Sequence, residues 1–163
     1  MFALQHPLFT PRLRLEPVTR HVLVASSLGR TALSAAIDAD IPQAWLGGYG
    51  LGPRGPDAPP RHVLVLRHAD RRLIGEERFD VQTEEPDVFD VGYQIEPDCR
   101  RQGYAVEATS AVIDWLFDEG GAVRVIAGCD MGNLASVRTL RRLGFTLDGS
   151  SPRRHAFWWT LDS

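Results

Sequence analysis

Apolar and polar side chains alternate over Leu13-Arg14-Leu15, just after Thr10-Pro11, and that two-residue period predicts a short first strand. Thr19 is a residue type that caps the start of a helix, so a helix is expected to follow it. An Ala-rich stretch from about Thr31 to Ala39 predicts a second helix. Asp40-Ile41-Pro42 could restart a short helix through Trp45, because proline suits a first helical turn. From Gly47 to Pro60 glycine and proline are too frequent for a regular element, which predicts a long loop, either a plain connection or part of a binding site.

Three runs rich in Val, Ile, Phe and Leu come next: His62 to Arg67, Leu73 to Val81 and Val88 to Ile95. Turn-like residues separate them, so they read as an antiparallel meander. After Glu96-Pro97, residues Tyr104 to Glu119 carry Val106, Thr109, Val112, Ile113, Leu116 and Phe117 at helical spacing, and Gly120-Gly121 closes that helix. Val123 to Cys129 reads as a strand. Asn133 then begins a helix with Val137, Leu140 and Leu143 on one face, stopped by Gly144. Two further β-like runs, Phe145 to Leu147 and Ala156 to Leu161, flank a polar turn from Asp148 to Arg154.

At 163 residues the chain is one domain long, and about 70% of its unfolded surface can be buried at that size. The expectation is a single domain over residues 1–163. The 18 basic and 21 acidic side chains are spread along the chain and leave a net charge of -3, without the basic footprint of a nucleic-acid binder. The N-terminus lacks the basic start and apolar run of a secretory signal, and no apolar run is long enough for a membrane span. Cys99 and Cys129 are too few for a disulfide framework, and neither they nor His62, His68 and His155 show metal-ligand spacing. A cytoplasmic protein with no metal, membrane or nucleic-acid partner is expected.

The chemistry concentrates after Tyr93-Gln94-Ile95-Glu96-Pro97. A strand there passes through Arg100-Arg101-Gln102-Gly103-Tyr104-Ala105 into the apolar-striped helix. A helix start presents unpaired N–H groups and the positive end of a dipole, and Gly103 and Ala105 let an anion come close. Arg100 and Arg101 can add charge. A plain turn is the alternative. The GxxxxGK[ST] and GxGxxG patterns are both absent, which removes support for nucleotide binding of those kinds.

Arg100-x-x-Gly103-x-Ala105 resembles the acetyl-CoA signature Gln/Arg-x-x-Gly-x-Gly/Ala of the Gcn5-related N-acetyltransferases (GNAT), and Gly92-Tyr93-Gln94-Ile95-x-Pro97 is similar to the family's central strand. Thr10 to Leu15 is similar to the opening of the ribosomal-protein-type branch, the RimJ/RimL-like enzymes, and Asn133 to Phe145 to their second cofactor motif. The resemblance covers roughly residues 10 to 161. It implies an α/β fold with a mixed, mostly antiparallel sheet of six or seven strands, about four helices, and a V-shaped cofactor opening between two central strands. It also implies acetyl-CoA as co-substrate, with backbone groups of Tyr93, Gln94 and Ile95 on the pantetheine arm. Residues Arg100, Arg101, Gln102, Gly103, Tyr104 and Ala105 would wrap the pyrophosphate, and Asn133 would lie near the thioester. A homodimer is a further implication of the family alone.

Acetyl transfer needs an amine that has lost its proton, a donor for the carbonyl oxygen, and a proton for the departing thiolate. By resemblance the backbone near Ile95 supplies the oxygen's donor. Many family members carry a tyrosine seven residues after the second-motif asparagine, but Leu140 stands there. Ser136, three residues after Asn133, resembles the serine that the RimJ/RimL-like branch offers to the sulfur, and that resemblance makes it the candidate for the thiolate, with a first-turn serine that only satisfies backbone as the alternative. Asp90 is the leading base candidate, with a solvated strand-end aspartate as the alternative, and Glu76 and Glu77 are reserves on the neighbouring strand. Phe157-Trp158-Trp159 must split between two faces, so at least one side chain goes to the core; core or edge packing is the expected role, and lining an acceptor pocket or a dimer contact is the alternative. The acceptor is expected to be a protein N-terminus or a small amine. A GNAT-fold module that binds acyl-CoA as a sensor or subunit without turnover is the competing expectation.

Overall fold

The run Val63-Leu64-Val65-Leu66 is apolar at every position because its strand is buried on both faces: Val63 and Val65 join one core cluster, Leu64 and Leu66 the other. The computed structural model describes residues 4–43, 61–82, 84–151, 153 and 155–163. Its elements in chain order are β1 (Leu8–Phe9), β2 (Leu13–Pro17), α1 (Arg20–Leu28), α2 (Arg30–Ile37), β3 (His62–Arg67), β4 (Arg72–Val81) and β5 (Val88–Ile95). A 3-10 turn at Pro97–Cys99 follows, then α3 (Tyr104–Asp118), β6 (Arg124–Asp130), α4 (Leu134–Arg142), β7 (Thr146–Ser151) and β8 (Ala156–Asp162).

The described strands form one sheet in the order β1-β2-β3-β4-β5-β6-β8-β7. Every neighbouring pair is antiparallel except β5 and β6, so the fold is α/β with a mixed, mostly antiparallel sheet as expected. The count is eight strands rather than six or seven. The additional one is the two-residue β1, too short to leave a pattern in the sequence. The last hairpin also differs: β7 runs to Ser151, taking in half of the segment expected as a turn.

Helices α3 and α4 cover one face. Ala108, Val112, Ile113 and Leu116 from α3 and Val137 and Leu140 from α4 share a cluster with Phe79, Phe89, Val91 and Val125. Trp115, absent from the expected stripe, packs its ring 5.5 Å from that of Phe79. On the other face Val22 of α1 and Leu33 and Ile37 of α2 pack on Leu64, Leu66 and Leu73; no residue of β5, β6, β7 or β8 belongs to that second cluster. Thr19 caps α1 as its residue type suggests, its hydroxyl accepting from the Val22 N–H. Asp40 does not restart a helix. It bridges to Arg72 at the start of β4, giving its backbone groups a sheet partner in place of a helical one. Trp45 and the Gly47 to Pro60 loop lie outside the described residues.

Candidate functional site

The β5–β6 ladder is short. It pairs Val88 with Arg124, Phe89 with Val125 and Asp90 with Ile126, and stops there. On its outer side β5 stays paired with β4 as far as Ile95, and β6 stays paired with β8 as far as Asp130. The C-terminal halves of the two parallel strands therefore part, and the backbone from Val91 to Ile95 has an open edge facing the open edge of Ala127 to Asp130. This is the V-shaped opening expected from the sequence. Open strand edges present N–H and C=O groups that need partners, and in α/β sheets such a crevice at the carboxyl ends of parallel strands is where ligands sit.

The turn after β5 adjoins this opening. Arg101 (φ 61°) and Gly103 (φ 83°) both adopt the left-handed conformation. Gly103 is the N-cap of α3, with no side chain capping the helix, so the first N–H groups of Tyr104 and Ala105 have no intrahelical partner. An uncapped N-terminus behind left-handed residues suits an anion. Arg100 also ties the turn to the end of β5, its Nε donating to the Ile95 carbonyl at 2.8 Å.

α4 starts at Asn133, whose Oδ1 accepts from the Ser136 N–H at 3.0 Å; the asparagine side chain is thus a helix cap. That leaves the Ser136 hydroxyl free of the backbone. It lies 2.8 Å from the Tyr93 hydroxyl, so a side chain of β5 reaches α4. Burial pushes the Tyr93 phenol upward, while its bonds to Ser136 and Thr139 pull the other way. Leu140 is 1% exposed and belongs to the core, so the position of the missing tyrosine is a packing position here.

The three candidate carboxylates separate by strand face. Glu77 stands opposite Tyr93 in the ladder and Glu76 opposite Gln94, so they point to opposite sides of the sheet. Glu77 is 2% exposed and accepts the Thr109 hydroxyl of α3 at 2.8 Å; burial pushes its carboxyl up to about 8. Asp90 is on the other face, at the last paired rung before the strands part. Burial raises its carboxyl, Arg78 lowers it and Asp80 raises it further. Arg78 bonds Asp80 at 3.0 Å, lies 3.7 Å from Asp90, and rests its guanidinium over Gly92. Sequence reasoning did not include Arg78, although the β4–β5 register, once known, puts it diagonal to Asp90. In β8, Trp159 is buried and Trp158 is 38% exposed, as alternation required; the Trp158 ring lies over Gly128 of β6.

Among the described residues no group of three or more His, Cys, Asp or Glu side chains could hold a metal ion, and no helix is long and apolar enough to cross a membrane.

A family model described as an acetyltransferase (GNAT) domain matches residues 25–146. The chain is 30% identical over 88 residues to the uncharacterized N-acetyltransferase YjdG of Bacillus subtilis, covering 54% of this chain and 52% of that protein. It is 28% identical over 106 residues to the uncharacterized N-acetyltransferase YnaD of the same organism, covering 63% and 61%. The chain thus spans about half to three fifths of these relatives' length. Among solved structures it resembles a GNAT-family acetyltransferase from Bacillus anthracis (TM-score 0.64, 16% identity, 96% of this chain and 98% of that one). It also resembles the ribosomal-protein-S5-alanine acetyltransferase from Vibrio fischeri (TM-score 0.64, 14% identity, 96% of each chain). At those identities the likeness is one of fold.

Proposed function

Because the chain belongs to the GNAT acetyltransferase family, we propose that it is an acetyl-CoA-dependent N-acetyltransferase that moves the acetyl group directly to a primary amine. The observation that carries this is the β5–β6 ladder ending at Asp90 and Ile126 beside an α3 N-terminus that has no side-chain cap. A pantetheine arm has amide groups at the right chemistry to bond the open edge at Tyr93, Gln94 and Ile95. The N–H groups from Arg101 to Ala105, with Gln102 between them, suit its pyrophosphate.

In the reaction the amine nitrogen bonds to the acetyl carbon, the C–S bond breaks, one amine proton leaves to a base, and the thiolate takes up a proton. Asp90 is the proposed base: it faces away from α3 and its raised affinity for a proton suits that task. Glu77 is set aside because Thr109 and the core enclose it. Ser136 is the proposed partner of the sulfur, since its N–H is already satisfied by Asn133 while its hydroxyl is turned to Tyr93. Asn133 acts through this capping bond. A backbone N–H near Ile95 is the proposed donor to the carbonyl oxygen.

The acceptor is a protein N-terminus or a small amine, in one cytoplasmic acetyltransferase domain that can pair with a second copy. The opening motif from Thr10 to Leu15 and the fold shared with the Vibrio fischeri ribosomal-protein enzyme support a RimJ/RimL-like placement. The deciding experiment incubates the protein with acetyl-CoA and a panel of amines and peptides, reading free thiol and product mass. Acetylated product supports the enzyme. Tight CoA binding with no turnover across the panel would instead favour a sensor or subunit, the reading that Leu140 in the core and the Arg78–Asp90 contact keep in play.

A further inference from the structure

The turn at residues 100–105 is fastened from behind by a side chain 95 positions before Glu107. Arg12, in the loop between β1 and β2, donates through Nε to Glu107 Oε2 at 2.6 Å, and its Nη2 lies 2.6 Å from the same oxygen. The Arg12 backbone N–H and the Thr10 hydroxyl donate to the other oxygen, Oε1, at 2.9 and 2.6 Å. The guanidinium also donates from Nη1 to the Gln102 carbonyl at 3.0 Å and sits 4.5 Å from the centre of the Tyr104 ring. Thr10-Pro11-Arg12 thereby touches the residues before, at and after the start of α3.

Two physical consequences follow. A peptide unit is planar and trans, so its C=O and N–H point in opposite directions. Holding the Gln102 carbonyl toward Arg12 therefore turns the Gly103 N–H away from it, toward the opposite side of the turn. Second, Glu107 places a carboxylate in the first turn of the helix whose N-terminus is the proposed phosphate site. Burial pushes that carboxyl up, but the Thr10 hydroxyl and the Arg12 guanidinium and N–H outweigh it, so it is held below the usual range and stays charged. Uncompensated, that charge would repel an incoming phosphate. Paired with Arg12, it is neutralised and occupied by four donors.

We infer that Arg12 is a positioning residue for the phosphate-binding turn: it fixes the Gln102–Gly103 peptide and cancels the Glu107 charge, so that phosphate oxygens meet aimed N–H groups and no opposing carboxylate. This rests on the proposal that the turn binds the pyrophosphate of CoA. The test is calorimetric titration of CoA into wild type, R12A, R12K and R12A/E107Q, with melting temperatures recorded alongside. R12A is expected to raise the Kd about tenfold, as loss of a charge-assisted network would. R12A/E107Q should bind CoA severalfold more tightly than R12A, because the repelling charge is gone, an effect that lost folding stability alone would not produce. R12K keeps charge without the planar fork and should fall between wild type and R12A.

The inference is overturned if R12A binds within about twofold of wild type, or if R12A/E107Q binds no better than R12A. If R12A does not fold, R12K decides: a Kd raised at least about threefold with the melting temperature maintained supports the inference, and an unchanged Kd overturns it. Wild-type protein that binds no CoA would overturn the phosphate-site reading itself, and this inference with it.

Discussion

The hydroxyl of Tyr93 and the hydroxyl of Ser136 lie 2.8 Å apart, joining β5 to α4 although 43 residues separate them in the chain. Burial keeps the phenol protonated. Either hydroxyl can donate; in the arrangement where the phenol donates, the serine oxygen accepts, and the serine's own hydrogen would be free for the sulfur of the proposed cofactor. In the proposed mechanism a tyrosine on β5 would therefore bear on the thiolate through Ser136, where the family more often offers one from α4.

Removing the serine hydroxyl should lower kcat by at least about tenfold, and Y93F should lower it by several-fold, with KM for acetyl-CoA changing by less than about twofold in each. Because the two act as one unit, Y93F/S136A should be no slower than S136A alone. Steady-state kinetics on the three variants checks this; multiplicative losses would show that Tyr93 and Ser136 act separately, and S136A within twofold of wild type would remove the serine from the mechanism.

If Asp90 takes the amine proton, kcat/KM should fall on the acidic side through an ionisation above the ordinary carboxylate range, since burial raises that carboxyl. D90N should abolish this limb. Because Arg78 lowers the Asp90 carboxyl, R78A should move the limb to higher pH. A pH profile of D90N that retains the wild-type limb would transfer the role to another group, Glu76 first, as it shares that face of the sheet.

Glu77 bears on stability. Its carboxyl titrates near 8 in the folded protein, raised from 4.5 by burial and partly pulled back by Thr109. The folded state therefore holds the proton more tightly than the unfolded chain. The resulting stabilisation is full below about 4.5, is lost as pH rises toward 8 at on the order of 1.4 kcal/mol per unit, and is absent above. E77Q keeps the shape and the Thr109 bond without the ionisation. Denaturant melts across this pH window should show wild type weakening as pH rises and E77Q nearly level; parallel curves would mean that Glu77 does not govern the trend.

Gly75 of β4 faces Ile95 across the ladder, and a β-carbon there would collide with the backbone carbonyl of Gln94. No side-chain rotation relieves a clash with backbone, so G75A should push β4 and β5 apart and cost about 1–3 kcal/mol. Urea denaturation measures that cost directly. A G75A midpoint equal to wild type would show that the ladder adapts without loss.

Much of the frame is legible from local pattern. The 3.6-residue stripe in α3, the alternation in β2 and β8, the cap at Thr19 and the glycine stop after α3 each follow from contacts within a few residues. The turn from Arg100 to Ala105 was legible because its strand, its glycine and its helix are contiguous. Asp40 was misread for the same reason: its local sequence permits a helix, but a bridge to Arg72 wins, and Arg72 is 32 positions away. Likewise β1 is held by its ladder with β2, which two residues cannot announce.

By itself, the sequence determined most of the helix and strand segments and the turn that leads from β5 into α3, because side-chain period, capping and turn chemistry act over a few residues. Tertiary structure alone decided that β8 lies between β6 and β7, that β5 and β6 separate after Asp90, and that Glu77 is sealed while Asp90 is not. It also decided that Arg12 would meet Glu107 and Tyr93 would meet Ser136. These depend on strand register and helix docking, set jointly by both core clusters, and no short window of residues contains both partners.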